Sequence, residues 1–167
     1  MNRHILSILV EDSPGVLSRV TGLFSRRGFN IKSLAVGSCE EPDTSRITIV
    51  VSGNDMQIEQ VKKQLNKLIE VIKVLDITDA EHVERELALI KVKADPGDTR
   101  SEVMQVAGIF RAKIIDVGAD SLMIEVTGDS GKIAAIEALL SPYGILEIVR
   151  TGNIALQRGA GTACTGK

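Results

Sequence analysis

The chain has 167 residues, 44% hydrophobic and 25% charged, with 20 Lys and Arg against 22 Asp and Glu for a formal charge of −2. This length suits one ordinary domain or two small ones, each with a modest core, and the balance lacks the cationic surplus that nucleic acid or an anionic membrane demands. The opening MNRHILSILVED has one short apolar run broken by Ser7, too short for a signal segment or a bilayer span, so the expected setting is cytoplasmic, with no membrane and no nucleic acid as partner.

In chain order, residues 3–11 read as an apolar strand and 14–27 as a helix. Ser13 suits the N-cap, Pro14 the first helical position and Gly28 a left-handed stop. Val16, Leu17, Val20, Leu23 and Phe24 fall on one helical stripe. Asn30–Cys39 and Ser45–Gly53 are two further strands joined by the polar turn CEEPDT. Asn54 can cap a second helix carrying Ile58, Val61, Leu65 and Leu68, and Glu70–Thr78 returns to a β-like run. That completes βαββαβ. After the charged connector DAEHVERE the order recurs: strand LALIKVKA, helix SEVMQVAGIFRA, strands KIIDVGA and SLMIEVTG, helix KIAAIEALLSPY and strand ILEIVRTG. The expected class is α+β, two ferredoxin-like sandwiches over residues 1–78 and 79–157 with a flexible tail at 158–167. Cys39 and Cys164, the second in that tail, have no metal-ligand spacing and read as reduced thiols.

Alternation in the first strand puts Leu6, Ile8 and Val10 on one face and Ile5, Ser7 and Leu9 on the other, so the face away from the helices is partly apolar and needs a cover. The edge run NIKSLAVGSC has only Lys32 to discourage pairing. A homodimer that extends the sheet is the expected cover, with burial by the second domain as the alternative.

No catalytic constellation is present. His4 and His82 stand alone, no H-E-x-x-H or G-x-S-x-G occurs, and the Gly-dense GAGT near the C-terminus follows no strand-to-helix turn. The chain is therefore not read as an enzyme and no catalytic or metal residue is assigned. Single-stranded RNA binding on such a sheet requires aromatic side chains on its central strands, and the whole sequence holds only Phe24, Phe29, Phe110 and Tyr143.

What remains is the first turn. Gly15 bares the amides of Gly15, Val16 and Leu17 at a helix N-terminus, a receptor for a carboxylate. Asp12 ends the first strand and Asn30 opens the second; both are expected beside that helix N-terminus, where they would take an ammonium group while Val16 and Ile31 line a small apolar pocket. The set complements an α-amino acid. Helix capping and turn formation are the plainer roles for Asp12 and Asn30.

The runs EDSPGVLSRVTGLFSRRGFNIKSLAVG, SRITIVVSG, IEQVKKQLNKLIEVIKV, HVERELALIKV, IFRAKIIDV, EVTGDSGKI and EIVRTGNIALQRG resemble, nearly end to end, the small regulatory subunit of acetolactate synthase (acetohydroxyacid synthase), whose first domain is an ACT domain. The resemblance implies a protein of branched-chain amino-acid biosynthesis that activates a large catalytic subunit and confers feedback inhibition by valine at an ACT dimer interface. It carries the valine-contacting residues onto Asp12, Gly15, Val16, Leu17, Asn30 and Ile31. It leaves thiamine diphosphate, magnesium and FAD to the catalytic subunit, with no cofactor in this chain. A free-standing ACT regulator of another enzyme or of a transcription factor is the alternative. In the second unit the equivalent turn, ADPGDTR, resembles the first only in part, with its helix expected near Thr99.

Overall fold

The computed structural model describes residues 2–159; most of the expected tail lies outside them. Contacts divide the chain into two units, one running to Val83 and taking back the segment from Asn153, the other spanning Glu84–Gly152. No helix of the described residues is long and apolar enough to cross a membrane.

The first unit runs β1 (Asn2–Glu11), α1 (Val16–Arg26), β2 (Ile31–Ser38), β3 (Thr44–Gly53), α2 (Asp55–Leu65) and β4 (Val71–Asp76). Its sheet has the order β2-β3-β1-β4, with every neighbouring pair antiparallel. The core lies between sheet and helices: Leu6, Ile8, Val10, Ile47, Ile49 and Val51 meet Val16, Val20 and Phe24 of α1 and Ile58, Val61 and Leu65 of α2. The alternation of β1 and the helical period of α1 thus converge on one cluster. Asn54 caps α2 reciprocally. Its side chain accepts from Gln57 N–H at 2.8 Å, and its own N–H donates to Gln57 Oε1 at 3.3 Å. Leu68 lies beyond the end of α2 but packs against the same core.

Gly28, at φ 71°, ends α1 in the left-handed conformation. Gly28 N–H bonds Ser25 O and Phe29 N–H bonds Phe24 O, both at 3.0 Å, the paired bonds of a Schellman stop. The apolar contact that accompanies this motif is Phe29 edge-on against Phe24, with ring centroids 6.1 Å apart. The other end of α1 departs from expectation. Ser13 is not its N-cap and Pro14 is not its first residue: Gly15 occupies the cap at φ 86° with no side-chain cap bond, and the helix begins at Val16. A helical residue needs negative φ, so a left-handed Gly15 cannot lie inside the helix.

The second unit runs β5 (His82–Lys93), which starts in the first, then α3 (Asp98–Ile109), β6 (Lys113–Val117), β7 (Ser121–Gly128), α4 (Ser130–Leu140) and β8 (Ile145–Arg150). Its order β6-β7-β5-β8 repeats that of the first sheet. Ala88, Ile90 and Val92 face Val103, Ala107, Ile133 and Ile136 in a separate core. A further strand, β9 (Ile154–Gln157), pairs with β5. By its contacts the segment that carries it groups with the first unit. Ala155 is packed with Ile5, Val50 and Ile77 on the sheet face away from α1 and α2. That face therefore has a cover from its own chain in addition to any partner, whereas edge strand β2 has a neighbour on one side only.

Candidate functional site

The turn between β1 and α1 is built by backbone bonds. The β1–β3 ladder ends at the pair Glu11 and Thr44. Beyond it Glu11 N–H bonds Glu70 O at 2.9 Å, Asp12 N–H bonds Asp43 O at 2.8 Å and Ser13 N–H bonds Glu11 O at 2.9 Å. Val16 N–H reaches Ser13 O at 3.4 Å, a long bond, and the first helical bond is Arg19 N–H to Gly15 O at 3.1 Å. Among the described residues the N–H groups of Gly15 and Leu17 have no acceptor. No acidic residue stands in the first turn of α1 to offset the positive end of its dipole. The turn is open: residues 11–15 and Leu17 are exposed.

Val16 is different. Only 4% of it is accessible and its side chain belongs to the core, so it offers the turn an amide and does not line a pocket. Leu17, 41% exposed, is the apolar side chain beside the open amides. Arg19, not singled out from the sequence, also borders the turn. One of its guanidinium nitrogens lies 3.6 Å from where a Cβ on Gly15 would sit, and another pairs with Glu70 at 2.8 Å. The readable signal was its place one helical turn after Gly15.

The structure does not bring Asn30 and Ile31 to this turn. Asn30 follows the C-terminal stop of α1, and Ile31 is in register with Val51, the residue that also pairs with His4 near the start of β1. Ser38, at the other end of β2, is level with Ser45 and hence with Val10. Seven residues of strand separate the two ends, about 23 Å. The reason is topological. A helix that leaves the top of β1 returns the chain to the bottom, so the next strand starts beside the helix C-terminus. Asn30 is exposed, and Ile31 is half-buried against the core. Neither the Asp12 nor the Asn30 side chain has a hydrogen-bond partner among the described residues, so neither caps a helix.

The open amides of Gly15 and Leu17, beside Asp12, and the amide side chain of Asn30, next to Ile31, thus lie at opposite ends of one sheet. Among the described residues no group of three or more His, Cys, Asp or Glu could hold a metal ion.

Residues 6–73 match the family described as AHAS small subunit-like ACT domain, and residues 85–159 match that described as small subunit of acetolactate synthase. The acetolactate synthase small subunit of Mycobacterium bovis is 57% identical over 156 residues, covering 93% of this chain and 92% of the relative. The chain belongs to the acetolactate synthase small-subunit family. A probable member from Archaeoglobus fulgidus is also 57% identical, over 157 residues, covering 94% of this chain and 98% of that protein. The crystal structure of the family member from Thermotoga maritima superposes with a TM-score of 0.86 at 44% identity, covering 96% of this chain and 100% of that one. Both sandwiches therefore belong to the family architecture, and the first is an ACT domain.

Proposed function

We propose that this chain binds the large catalytic subunit of acetolactate synthase, raises its activity and lowers it again when valine binds the ACT domain. The observation that carries the reading is the open α1 turn, together with the opposite placement of Asn30 and Ile31. Edge strand β2 has a free side, and a second copy pairing with it antiparallel about a two-fold axis would lay the start of its own β2 beside the end of this one. The partner's Asn30 and the partner's Ile31 then meet Gly15 and Leu17. Each of the two sites would combine amides for the α-carboxylate from one protomer with a side-chain acceptor for the ammonium from the other, and Leu17 and the partner's Ile31 would contact the isopropyl group. Arg19 adds positive charge beside the carboxylate.

Valine so placed stabilises one arrangement of the pair. A catalytic subunit that prefers the other arrangement loses activity by the coupling free energy, about 1–3 kcal/mol in typical cases, without contact between the two sites. Thiamine diphosphate, magnesium and FAD reside in the catalytic subunit under this reading, and this chain performs no turnover. The test is titration of the chain into a catalytic acetolactate synthase subunit with and without valine. The reading requires a rate that rises with added chain and falls with valine. An unchanged rate over a wide ratio of subunits would favour a free-standing amino-acid sensor instead.

A further inference from the structure

The second unit repeats three backbone bonds of the α1 turn, while the bonds from Ser13 N–H to Glu11 O and from Val16 N–H to Ser13 O have no counterpart among the described residues. Glu11 N–H to Glu70 O at 2.9 Å has its counterpart in Lys93 N–H to Gly144 O at 2.9 Å. Asp12 N–H to Asp43 O corresponds to Ala94 N–H to Asp120 O, both 2.8 Å, and Arg19 N–H to Gly15 O corresponds to Ser101 N–H to Gly97 O, both 3.1 Å. Pro14-Gly15 stands where Pro96-Gly97 stands, and both glycines cap their helices at positive φ, 86° and 113°. The likeness is closer than the sequence indicated, since α3 begins at Asp98, directly after Gly97.

The difference lies in front of the helix. Three residues after Gly15 stands Ser18, short and exposed; three residues after Gly97 stands Arg100. The Arg100 guanidinium folds back over the turn. Its Nε and Nη2 donate to Ala94 O at 3.1 and 2.9 Å, and Nη2 also reaches Gly118 O at 2.9 Å and Ala119 O at 2.7 Å. The carbonyls of the strand end and of the hairpin opposite it thus hold a cation that the chain itself supplies.

We propose that Arg100 is a built-in occupant of the second unit's copy of the turn, which closes it to free amino acids and leaves the α1 turn as the one effector turn of each chain. The proposal rests on the effector reading given above and makes it more specific. Ala94 has no carboxylate, yet its carbonyl holds the guanidinium. In the second unit cation capture therefore needs the strand-end carbonyl and not an acidic side chain.

Two experiments on the full chain test this separately from the effector reading. In the first, Arg100→Ala lowers the thermal midpoint, and added methylguanidinium restores it, whereas the same salt leaves the parent unchanged. A variant that folds but is not rescued, or that melts like the parent, would overturn the role of Arg100 whether or not valine binds. In the second, Ser18→Arg transplants the occupant into the exposed position of α1. Calorimetric titration should show valine affinity reduced by roughly 10- to 100-fold with the midpoint retained, while Ser18→Gln stays within about threefold of the parent. Parental affinity in Ser18→Arg would contradict the equivalence of the two turns. A parent that binds no valine while methylguanidinium still rescues Arg100→Ala would instead reject the effector reading and leave Arg100 as the occupant.

Discussion

Replacing Gly15 by Asp separates folding from effector binding at a backbone position whose left-handed φ favours glycine. At φ 86° a side chain is strained by roughly 1–2 kcal/mol, with Asp tolerated better than most residues. Space is available: the nearest heavy atom to a Cβ at this position is Arg19 Nη2, at 3.6 Å, the end of a flexible and half-exposed side chain. The new carboxylate also lies at the positive end of α1, which has no acid in its first turn, and this offsets about 0.3–1 kcal/mol of the strain. The net expected destabilisation is about 1 kcal/mol, read as a small decrease in the urea midpoint. The effect on ligand is of another order. The introduced carboxylate takes the Gly15 and Leu17 amides for itself and repels a second anion, so calorimetry should detect no valine binding while activation of the catalytic subunit persists. Gly15→Ala is the control, with at least as much strain but without the charge or the dipole offset, and it should retain part of the valine response. Parental valine affinity in Gly15→Asp would refute a carboxylate site on this helix N-terminus.

Three further outcomes follow from the packing and electrostatics of the first unit. Phe24→Ala removes a fully buried ring that also faces Phe29 across the α1 stop, and should cost about 3–5 kcal/mol in denaturant unfolding. Asn54→Ala opens the reciprocal cap of α2 and should cost about 1 kcal/mol, with valine binding unchanged. The hydrogen bond that the Lys62 ammonium donates to Glu59 Oε1, at 2.5 Å, and the nearby Asp76 carboxylate hold Lys62 above the ordinary lysine value near 10.5 despite partial burial. A raised value means that its stabilisation is fully present below the unfolded-state pKa and is lost as pH climbs through the folded one. Alkaline unfolding curves above pH ~10.5 should therefore fall less steeply for Lys62→Met than for the parent.

Most of the architecture was legible because local signals agreed with one another. The Gly28 stop, the Asn54 cap and the alternation of Leu6, Ile8 and Val10 each appear in the structure as read. The start of α1 was not legible. Ser-Pro-Gly satisfies the preferences of a cap and first turn, and only the left-handed φ of Gly15 shows that the helix begins after it. Strand β9 was missed because four residues after Thr151-Gly152 carry too little periodicity, and Ala155 is placed by a tertiary contact with Ile5 and Val50. The placing of the candidate residues was not legible: closeness in sequence was taken for closeness in space, while the register of β2 sets Asn30 at the far end of the sheet from the α1 turn.

That separation provides the most direct test of the account, which holds that each effector site takes its turn from one protomer and Asn30 from the other. Gly15→Asp alone should abolish valine binding, and Asn30→Ala alone should weaken it by about 1–3 kcal/mol through loss of a hydrogen bond to the ammonium. Mixed in a dimer, one chain of each kind leaves one site with both substitutions and one with neither. Calorimetry on the purified hybrid should therefore recover parental affinity at one valine per dimer. A hybrid whose tightest site is no stronger than that of the Asn30→Ala dimer would mean that no intact site forms between the chains, and would contradict the account.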